Sequence, residues 1–202
     1  MKGNEVDRNS VRNLINKYIE LPVVSVLSKL GVSPSFVTMT GLFFAIIAAV
    51  LICFEYLWIG ALVMLFGGIL DMFDGALARA TDTVSRFGGF LDSVVDRISE
   101  AVILAGVLGY FLVNSETLGV FLAFSAFAGS IMVSYCRARA EGLGVECSVG
   151  IMTRPERVAA LGIGIFVGHW YPLVICLVLG LISILTIFTT IQRIIVTKRA
   201  LS

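Results

Sequence analysis

The sequence has little charge, one histidine and only four cysteines, and these shortages exclude several classes of protein. Only 14% of the 202 residues are charged while 58% are hydrophobic, which excludes an ordinary soluble domain. The cysteines lack the spacing of metal ligands or redox pairs, so we interpret them as small hydrophobic residues. The net charge is +1, and we expect no nucleic acid among the partners. The composition therefore predicts a polytopic membrane protein.

Lysine and arginine are absent from three short turns, near 55–58, 114–116 and 169–171. Basic residues instead flank the loops near 80–87 and 140–154 and occur near both ends of the chain. By the positive-inside rule, those loops and both termini face the cytoplasm. The apolar segments then predict an all-α fold of six transmembrane helices in the plasma membrane of a prokaryote. The predicted spans are 36–54, 57–79, 88–113, 117–139, 155–170 and 172–196.

The N-terminal segment is predicted to lie on the membrane surface rather than to cross it. Apolar residues recur there at helical spacing and polar residues occupy the other side, which predicts an interfacial amphipathic helix ending near Pro22. The first long apolar run begins only near Phe36, so we expect no signal peptide. The chain therefore divides into an interfacial segment (1–34), a six-helix domain (35–197) and a cytoplasmic tail (198–202).

Four aspartates lie within apolar sequence, where an uncompensated carboxylate is strongly unfavourable. Asp71 and Asp74 are three apart and Asp92 and Asp96 are four apart, so each pair shares one face of a helix. A rise of about 1.5 Å per residue places both pairs at a similar depth on neighbouring antiparallel helices. We therefore predict that the four aspartates form a site for divalent cations, and that this site is the active site and lies on the cytoplasmic side. A polar packing network neutralised by arginine is the alternative.

Small residues and one arginine accompany the acids. Gly75 and Ala78 lie on the stripe of the first acidic pair, and Gly88 lies one turn before the second pair. Small side chains leave room for a bulky ligand, while Arg79 at the membrane surface can hold a phosphate through two hydrogen bonds. Together these features suggest phosphoryl chemistry assisted by two metal ions.

The pattern Asp71-x2-Asp74-Gly75-x2-Ala78-Arg79-x8-Gly88-x3-Asp92-x3-Asp96 resembles the signature of the CDP-alcohol phosphotransferase family. The resemblance implies six transmembrane helices, usually in a homodimer, that transfer a phosphatidyl-type group from a CDP-linked lipid to an alcohol with release of CMP. It also implies two Mg²⁺ or Mn²⁺ ions as cofactors. Asp71, Asp74 and Asp92 would be metal ligands, and Asp96 would both reach a metal and act as the general base.

The same resemblance implies a set of residues that contact the cytidine nucleotide. That set is Gly75, Ala78, Arg79 and Ser85. The segment from Ser33 to Thr38 is similar to a Pro-Asn-x-x-Thr motif of the family, although Ser35 replaces the asparagine. It would place Ser35 and Thr38 near the nucleotide as well. A helix cap is the alternative role for Ser35.

Four arginines adjoin the fourth and fifth predicted spans: Arg137, Arg139, Arg154 and Arg157. They exceed what a neutral alcohol needs, and an acceptor with its own phosphate would use them; positive-inside topology is the alternative. The segments 134–141 and 154–157 are similar to those of phosphatidylinositol phosphate and archaetidylinositol phosphate synthases. That similarity implies inositol phosphate as the acceptor and CDP-diacylglycerol or CDP-archaeol as the donor. Glycerol 3-phosphate as acceptor is the nearest alternative, and a divalent-cation transporter is a remote one.

Three further expectations concern residues outside the acidic site. Arg97 and Glu100 are three apart and are interpreted as an ion pair that supports the site. Gly164 and Gly168 form a small-xxx-small pattern, which favours close helix packing within one subunit or at a dimer interface. His169 is interpreted as a residue of the outer membrane–water boundary.

Overall fold

The computed structural model describes residues 21–201, and these residues form seven helices and no strand. The all-α prediction is confirmed. The interfacial helix predicted before Pro22 lies outside the described residues. The helices are α1 (Leu21–Lys29), α2 (Pro34–Cys53), α3 (Leu57–Ala80), α4 (Arg86–Val113), α5 (Thr117–Glu141), α6 (Arg154–Gly168) and α7 (Leu173–Leu201).

Each predicted span coincides with one of the helices α2 to α7, with ends that differ by a few residues. Four of them, α2, α3, α5 and α7, are long and apolar enough to cross a membrane. Large hydrophobic side chains such as Phe43, Phe66 and Ile184 are exposed on the outside of these helices. An outer surface of this kind suits hydrocarbon rather than water. The chain is therefore a membrane protein with several apolar helices.

Serine side chains begin the two helices that border the site. Ser33 caps α2, because its hydroxyl oxygen accepts a hydrogen bond from the Phe36 amide and Pro34 occupies the first turn. Ser85 caps α4 by accepting from the Gly88 amide at 2.9 Å. The cap considered for Ser35 is therefore formed by Ser33 instead.

Glycines allow the helices to approach closely. A Cβ on Gly106 of α4 would lie 2.5 Å from the carbonyl oxygen of Ala49, so α2 and α4 pack backbone to backbone. On α6, a Cβ on Gly164 would lie 2.8 Å from the side chain of Val178 on α7, and one on Gly168 would also overlap α7. The small-xxx-small pattern therefore serves packing within one subunit.

The buried core runs between the six helices α2 to α7 on one side of the acidic residues. It consists of aliphatic and small side chains, among them Ile52, Leu104, Val107, Ile165 and Leu179. Such packing holds the helices in a fixed relation. The C-terminal part of α3 and the starts of α4 and α6 therefore meet at the level of the aspartates.

Candidate metal centre and adjoining cavities

Helices α3 and α4 bring three of the four predicted carboxylates together. One carboxylate oxygen from each of Asp71, Asp74 and Asp92 lies within 4.8 Å of the other two. Two of these residues stand one turn apart on α3, and the third faces them from α4. The prediction that the two acidic pairs meet across neighbouring helices is confirmed. Carboxylate oxygens at this separation are the donors that a hard divalent cation prefers, so these residues fit such an ion.

Asp74 is the most deeply placed of the three carboxylates and is held from two sides. The Thr38 hydroxyl donates a hydrogen bond of 2.6 Å to its Oδ2 atom, and the Gly75 amide donates to its Oδ1 atom. Thr38 itself is buried on α2. Hydrogen bonds of this kind fix the direction in which a ligand presents its oxygen to a metal.

Asp96 stands one turn farther along α4 and is outside the group of three. Its Oδ1 atom lies 2.6 Å from the Nη1 atom of Arg154, at the start of α6. The same Nη1 atom donates to Oδ2 of Asp71 at 2.9 Å. One guanidinium thus offsets the negative charge of two carboxylates in a partly buried place. Arg154 also ties the acids of α3 and α4 to the start of α6.

A first cavity of about 690 Å³ opens between α2, α3 and the start of α4. Asp74 and Asp92 line it at its inner end. All six residues predicted to contact the nucleotide also line it: Ser35, Thr38, Gly75, Ala78, Arg79 and Ser85. Its volume falls within the range of roughly 300–1,000 Å³ that small-molecule sites occupy.

A second cavity of about 430 Å³ lies on the other side of the acids, between α4, α5, α6 and α7. Asp96 lines this second cavity, whereas Asp74 and Asp92 line only the first. Five arginines line the second cavity: Arg97, Arg137, Arg154, Arg157 and Arg193. Three of the four carboxylates are therefore divided between a glycine-containing cavity with one arginine, which holds Asp74 and Asp92, and a strongly basic cavity, which holds Asp96.

Arg157 takes part in a buried ion pair. Its Nε and Nη2 atoms donate to the two carboxylate oxygens of Glu100 at 2.6 and 2.7 Å, and its Nη1 atom donates to the Met152 carbonyl at 3.1 Å. The side chain is 2% exposed, so these contacts replace water. The ion pair expected between Arg97 and Glu100 is not formed, because Glu100 pairs with Arg157 and Arg97 donates to the Ser93 carbonyl.

Arg137 and Arg139 lie in different places, although both were predicted to hold the acceptor. Residues two apart on a helix point in nearly opposite directions. Arg137 lines the second cavity and forms an exposed ion pair with Glu141 at 2.8 Å. Arg139 lines a separate groove near the C-terminal end of α7, together with Lys198.

Arg193 is the residue of the second cavity that the sequence analysis missed. It is 3% exposed, and it donates to the carbonyl oxygens of Val133 at 2.6 Å and Val149 at 2.9 Å. A signal for it was present, because Arg193 falls inside the last predicted span. A cation within a transmembrane segment is a candidate functional residue by default. It was counted among the basic residues at the C-terminus instead.

In this helical membrane protein, a carboxylate cluster that suits divalent cations lies between two polar cavities, which fits an enzyme that uses metal ions to act on bound substrates. Residues 31–195 match the model of the CDP-alcohol phosphatidyltransferase family. The chain belongs to this family of membrane enzymes, as the motif of aspartates suggested.

Similar proteins cover nearly the whole chain. It is 34% identical to the archaetidylinositol phosphate synthase of Methanothermobacter thermautotrophicus, over 95% of this chain and 94% of that protein. It is 32% identical to the phosphatidylinositol phosphate synthase of Cutibacterium acnes, over 89% of this chain and 92% of that protein.

Solved structures of one such synthase have the same fold. The phosphatidylinositol phosphate synthase of Mycobacterium tuberculosis with CDP-DAG bound gives a TM-score of 0.82 at 29% identity, over 89% of this chain and 93% of that chain. Its complex with manganese and citrate gives a TM-score of 0.83 at 30% identity, over 89% of this chain and 88% of that chain.

Proposed function

We propose that the protein transfers the phosphatidyl or archaetidyl group of a CDP-linked lipid to a hydroxyl of inositol phosphate and releases CMP. The division of the carboxylates between two cavities is the observation that carries this proposal. Asp74 and Asp92 adjoin the cavity with the expected nucleotide residues, and Asp96 adjoins the cavity with five arginines. Donor and acceptor would then meet across the acidic centre.

The nucleotide of the donor occupies the first cavity in this proposal. Gly75 and Ala78 leave the surface of α3 open, and the Arg79 guanidinium is placed to hold a phosphate. Thr38, Ser35 and Ser85 supply hydroxyl groups on the facing wall. The lipid-side phosphorus would lie nearest the carboxylates.

Asp71, Asp74 and Asp92 would hold a divalent ion, and Asp96 would help to hold a second. Mg²⁺ is our expectation, with Mn²⁺ as a substitute; the manganese complex of the mycobacterial synthase supports a divalent ion. When bound, such ions neutralise the pyrophosphate and the charge that develops on CMP.

The acceptor occupies the second cavity, with its phosphate among the guanidinium groups of Arg137, Arg154 and Arg193. Its hydroxyl then lies against the carboxylate of Asp96, which removes the proton as general base. The freed oxygen attacks the lipid-side phosphorus, a new phosphorus–oxygen bond forms, and the bond to CMP breaks. Arg157 is committed to Glu100, and Arg139 faces another groove, so we assign neither of them to acceptor binding.

We further propose that α4 and α6 cross the membrane, which makes six spans. The 28 residues of α4 extend about 42 Å, more than the hydrocarbon thickness of about 30 Å. Its charged residues beyond the first turn line the two cavities: Asp92, Asp96, Arg97 and Glu100. The 15 residues of α6 extend only about 22 Å, less than this thickness, and local thinning of the bilayer accommodates a short span. The helix packs against α3 and α7, which are both long enough to cross. The basic loops support an active site and both termini on the cytoplasmic side of a prokaryotic plasma membrane. A homodimer is our expectation.

An acceptor panel tests this function. Purified protein with Mg²⁺ and CDP-diacylglycerol is supplied in turn with inositol phosphate, inositol, glycerol 3-phosphate or serine, and CMP release is measured. We expect inositol phosphate to give the highest kcat/KM. Faster release with glycerol 3-phosphate would assign the alternative acceptor, and no release with any of the four, nor with CDP-archaeol as donor, would refute the transferase.

Thr38→Val should weaken metal binding by about tenfold or more, because it removes the hydrogen bond that orients Asp74 while keeping the side-chain shape. Titration with Mn²⁺, followed by electron paramagnetic resonance, measures the affinity. Thr40→Val is the matched control, since the Thr40 hydroxyl donates only to the Phe36 carbonyl of its own helix. Equal affinities of the two variants would contradict the role given to Thr38.

Arg137→Gln should raise the KM for inositol phosphate by about tenfold, because one charge-assisted hydrogen bond to the acceptor phosphate is lost. The KM for the CDP-linked lipid should not change, since Arg137 does not line the first cavity. Arg199→Gln removes a charge at the C-terminal end of α7, outside both cavities, and should leave both constants unchanged. An unchanged KM for inositol phosphate in Arg137→Gln would leave Arg137 with a role in membrane topology alone.

A further inference from the structure

A third cavity, of about 270 Å³, lies outside both proposed substrate cavities, between the C-terminal ends of α5 and α7. We call it the α5–α7 groove. A basic side chain from each helix lines it, Arg139 from α5 and Lys198 from α7, and both are exposed. Leu143, Ile194 and Leu201 supply an apolar lining beside them. The groove is thus basic and apolar at once.

Exposed apolar stripes on both helices lead to this groove. On α7 an isoleucine recurs every three or four residues, at 184, 187, 191 and 194, and Lys198 follows at the same spacing. On α5 the exposed Phe124, Ile131 and Tyr135 lead in the same way to Arg139. Residues at this spacing occupy one helix face. Each stripe therefore begins within the apolar part of a helix and ends at a cation.

The two helices are held together along this surface. A Cβ on Gly129 of α5 would overlap the side chain of Thr186 on α7, so the backbones are close at that level. The two helices that carry Arg139 and Lys198 therefore keep a fixed relation, and only Leu143 of the lining comes from a loop.

We propose that the α5–α7 groove binds an anionic phospholipid. Its phosphate lies between Arg139 and Lys198, and its acyl chains follow the two apolar stripes toward the middle of the membrane. The groove is complementary to a phospholipid, which joins an anion to apolar chains in the order in which the groove joins cations to apolar stripes. The exposed ring of Tyr135 lies one turn before Arg139, next to the proposed phosphate position. Amphipathic aromatic side chains prefer this boundary between the apolar membrane and water.

This lipid site is separate from the proposed reaction. Arg193 lines both the groove and the second cavity, and two of its donors are engaged by the carbonyl oxygens of Val133 and Val149. It forms part of the wall between them. The lipid-site proposal requires only that the chain lies in a membrane. It can therefore be wrong while the proposed transferase activity is correct, and the transferase activity can be wrong while the lipid site is correct.

Lipid retention measures the site. The protein is purified in detergent, mixed with phosphatidylglycerol or phosphatidylcholine, and the bound lipid is counted by native mass spectrometry. We expect preferential binding of phosphatidylglycerol. The double variant Arg139→Gln/Lys198→Gln should reduce its affinity by about 25-fold, or about fivefold for each residue, as expected for single charges near a membrane surface.

Two controls separate this site from a general surface charge. Arg199 is next to Lys198 on α7 but does not line the groove. The variant Arg199→Gln should therefore retain the lipid as the parent protein does. The charge-conserving Arg139→Lys should retain it as well. If the double variant is unstable in a thermal melt, the two single variants carry the test.

Three results would overturn the proposal. These are equal binding of the two lipids, retention of phosphatidylglycerol by the double variant, and an equal loss in Arg199→Gln. A double variant that binds lipid normally but changes the oligomeric state in light scattering would identify the groove as a contact between copies of this chain.

Discussion

Asp96→Asn should lower the rate of CMP release by about a thousandfold while leaving the binding of CDP-linked lipid unchanged. Asparagine keeps the size of the side chain but cannot accept the proton of the acceptor hydroxyl, and general-base catalysis contributes roughly 10²–10⁴ to a rate. Donor binding should persist because Asp96 lines the second cavity and not the first. Steady-state CMP release and equilibrium binding of CDP-diacylglycerol measure the two quantities separately.

Two other aspartates provide controls for that result. Asp92→Asn changes a carboxylate of the first cavity and should weaken both metal and donor binding, in contrast to Asp96→Asn. Asp82 lies in the loop between α3 and α4 at a φ of +53°, a conformation that asparagine tolerates. The variant Asp82→Asn should therefore have normal activity. If Asp96→Asn kept more than a tenth of the parental rate, or lost donor binding as Asp92→Asn does, Asp96 would not be the base.

The acidic centre could be predicted because helical periodicity determines which side chains share a helix face. Spacings of three and four residues put each pair of acids on one face, and a short loop makes α3 and α4 antiparallel neighbours. The carboxylates of Asp71, Asp74 and Asp92 meet as a direct consequence. The residues predicted to contact the nucleotide line the first cavity for a related reason, because they continue the stripes of those two helices, cap α4 or lie at the start of α2. Helix α1 and the loops 30–33 and 81–84 also contribute to the lining.

The basic cavity could be predicted only in part, because it is assembled from residues far apart in the sequence. Glu100 is three residues from Arg97, yet its partner is Arg157, 57 residues away. Local spacing favoured the near pair, whereas the packing of α6 against α3 and α7 brings Arg157 within reach of Glu100. Arg193 entered the cavity from the last helix, where no local pattern connects it to the others. Periodicity alone could have separated Arg137 from Arg139, which stand two apart.

Arg157→Gln should lower the free energy of unfolding by about 3–5 kcal/mol, because removal of one partner leaves the carboxylate of Glu100 buried without its counter-charge. The pair is 2% and 8% exposed, so water cannot compensate the loss. Denaturation of the detergent-solubilised protein, followed by circular dichroism, measures the change. Arg137→Gln is the matched control, since its ion pair with Glu141 is 52% and 46% exposed and should contribute about 1 kcal/mol at most.

The double variant Glu100→Gln/Arg157→Met separates a structural role of Arg157 from acceptor binding. With both charges removed, no unpaired charge stays buried, and much of the stability lost in Arg157→Gln should return. We expect a structural role because the Arg157 guanidinium donates three hydrogen bonds, two to Glu100 and one to Met152. These bonds hold the start of α6 near Glu100 of α4. Arg154, one turn earlier on α6, reaches Asp71 and Asp96 only while that end stays in place. A large rise in the KM for inositol phosphate without loss of stability in Arg157→Gln would instead make Arg157 a direct ligand of the acceptor.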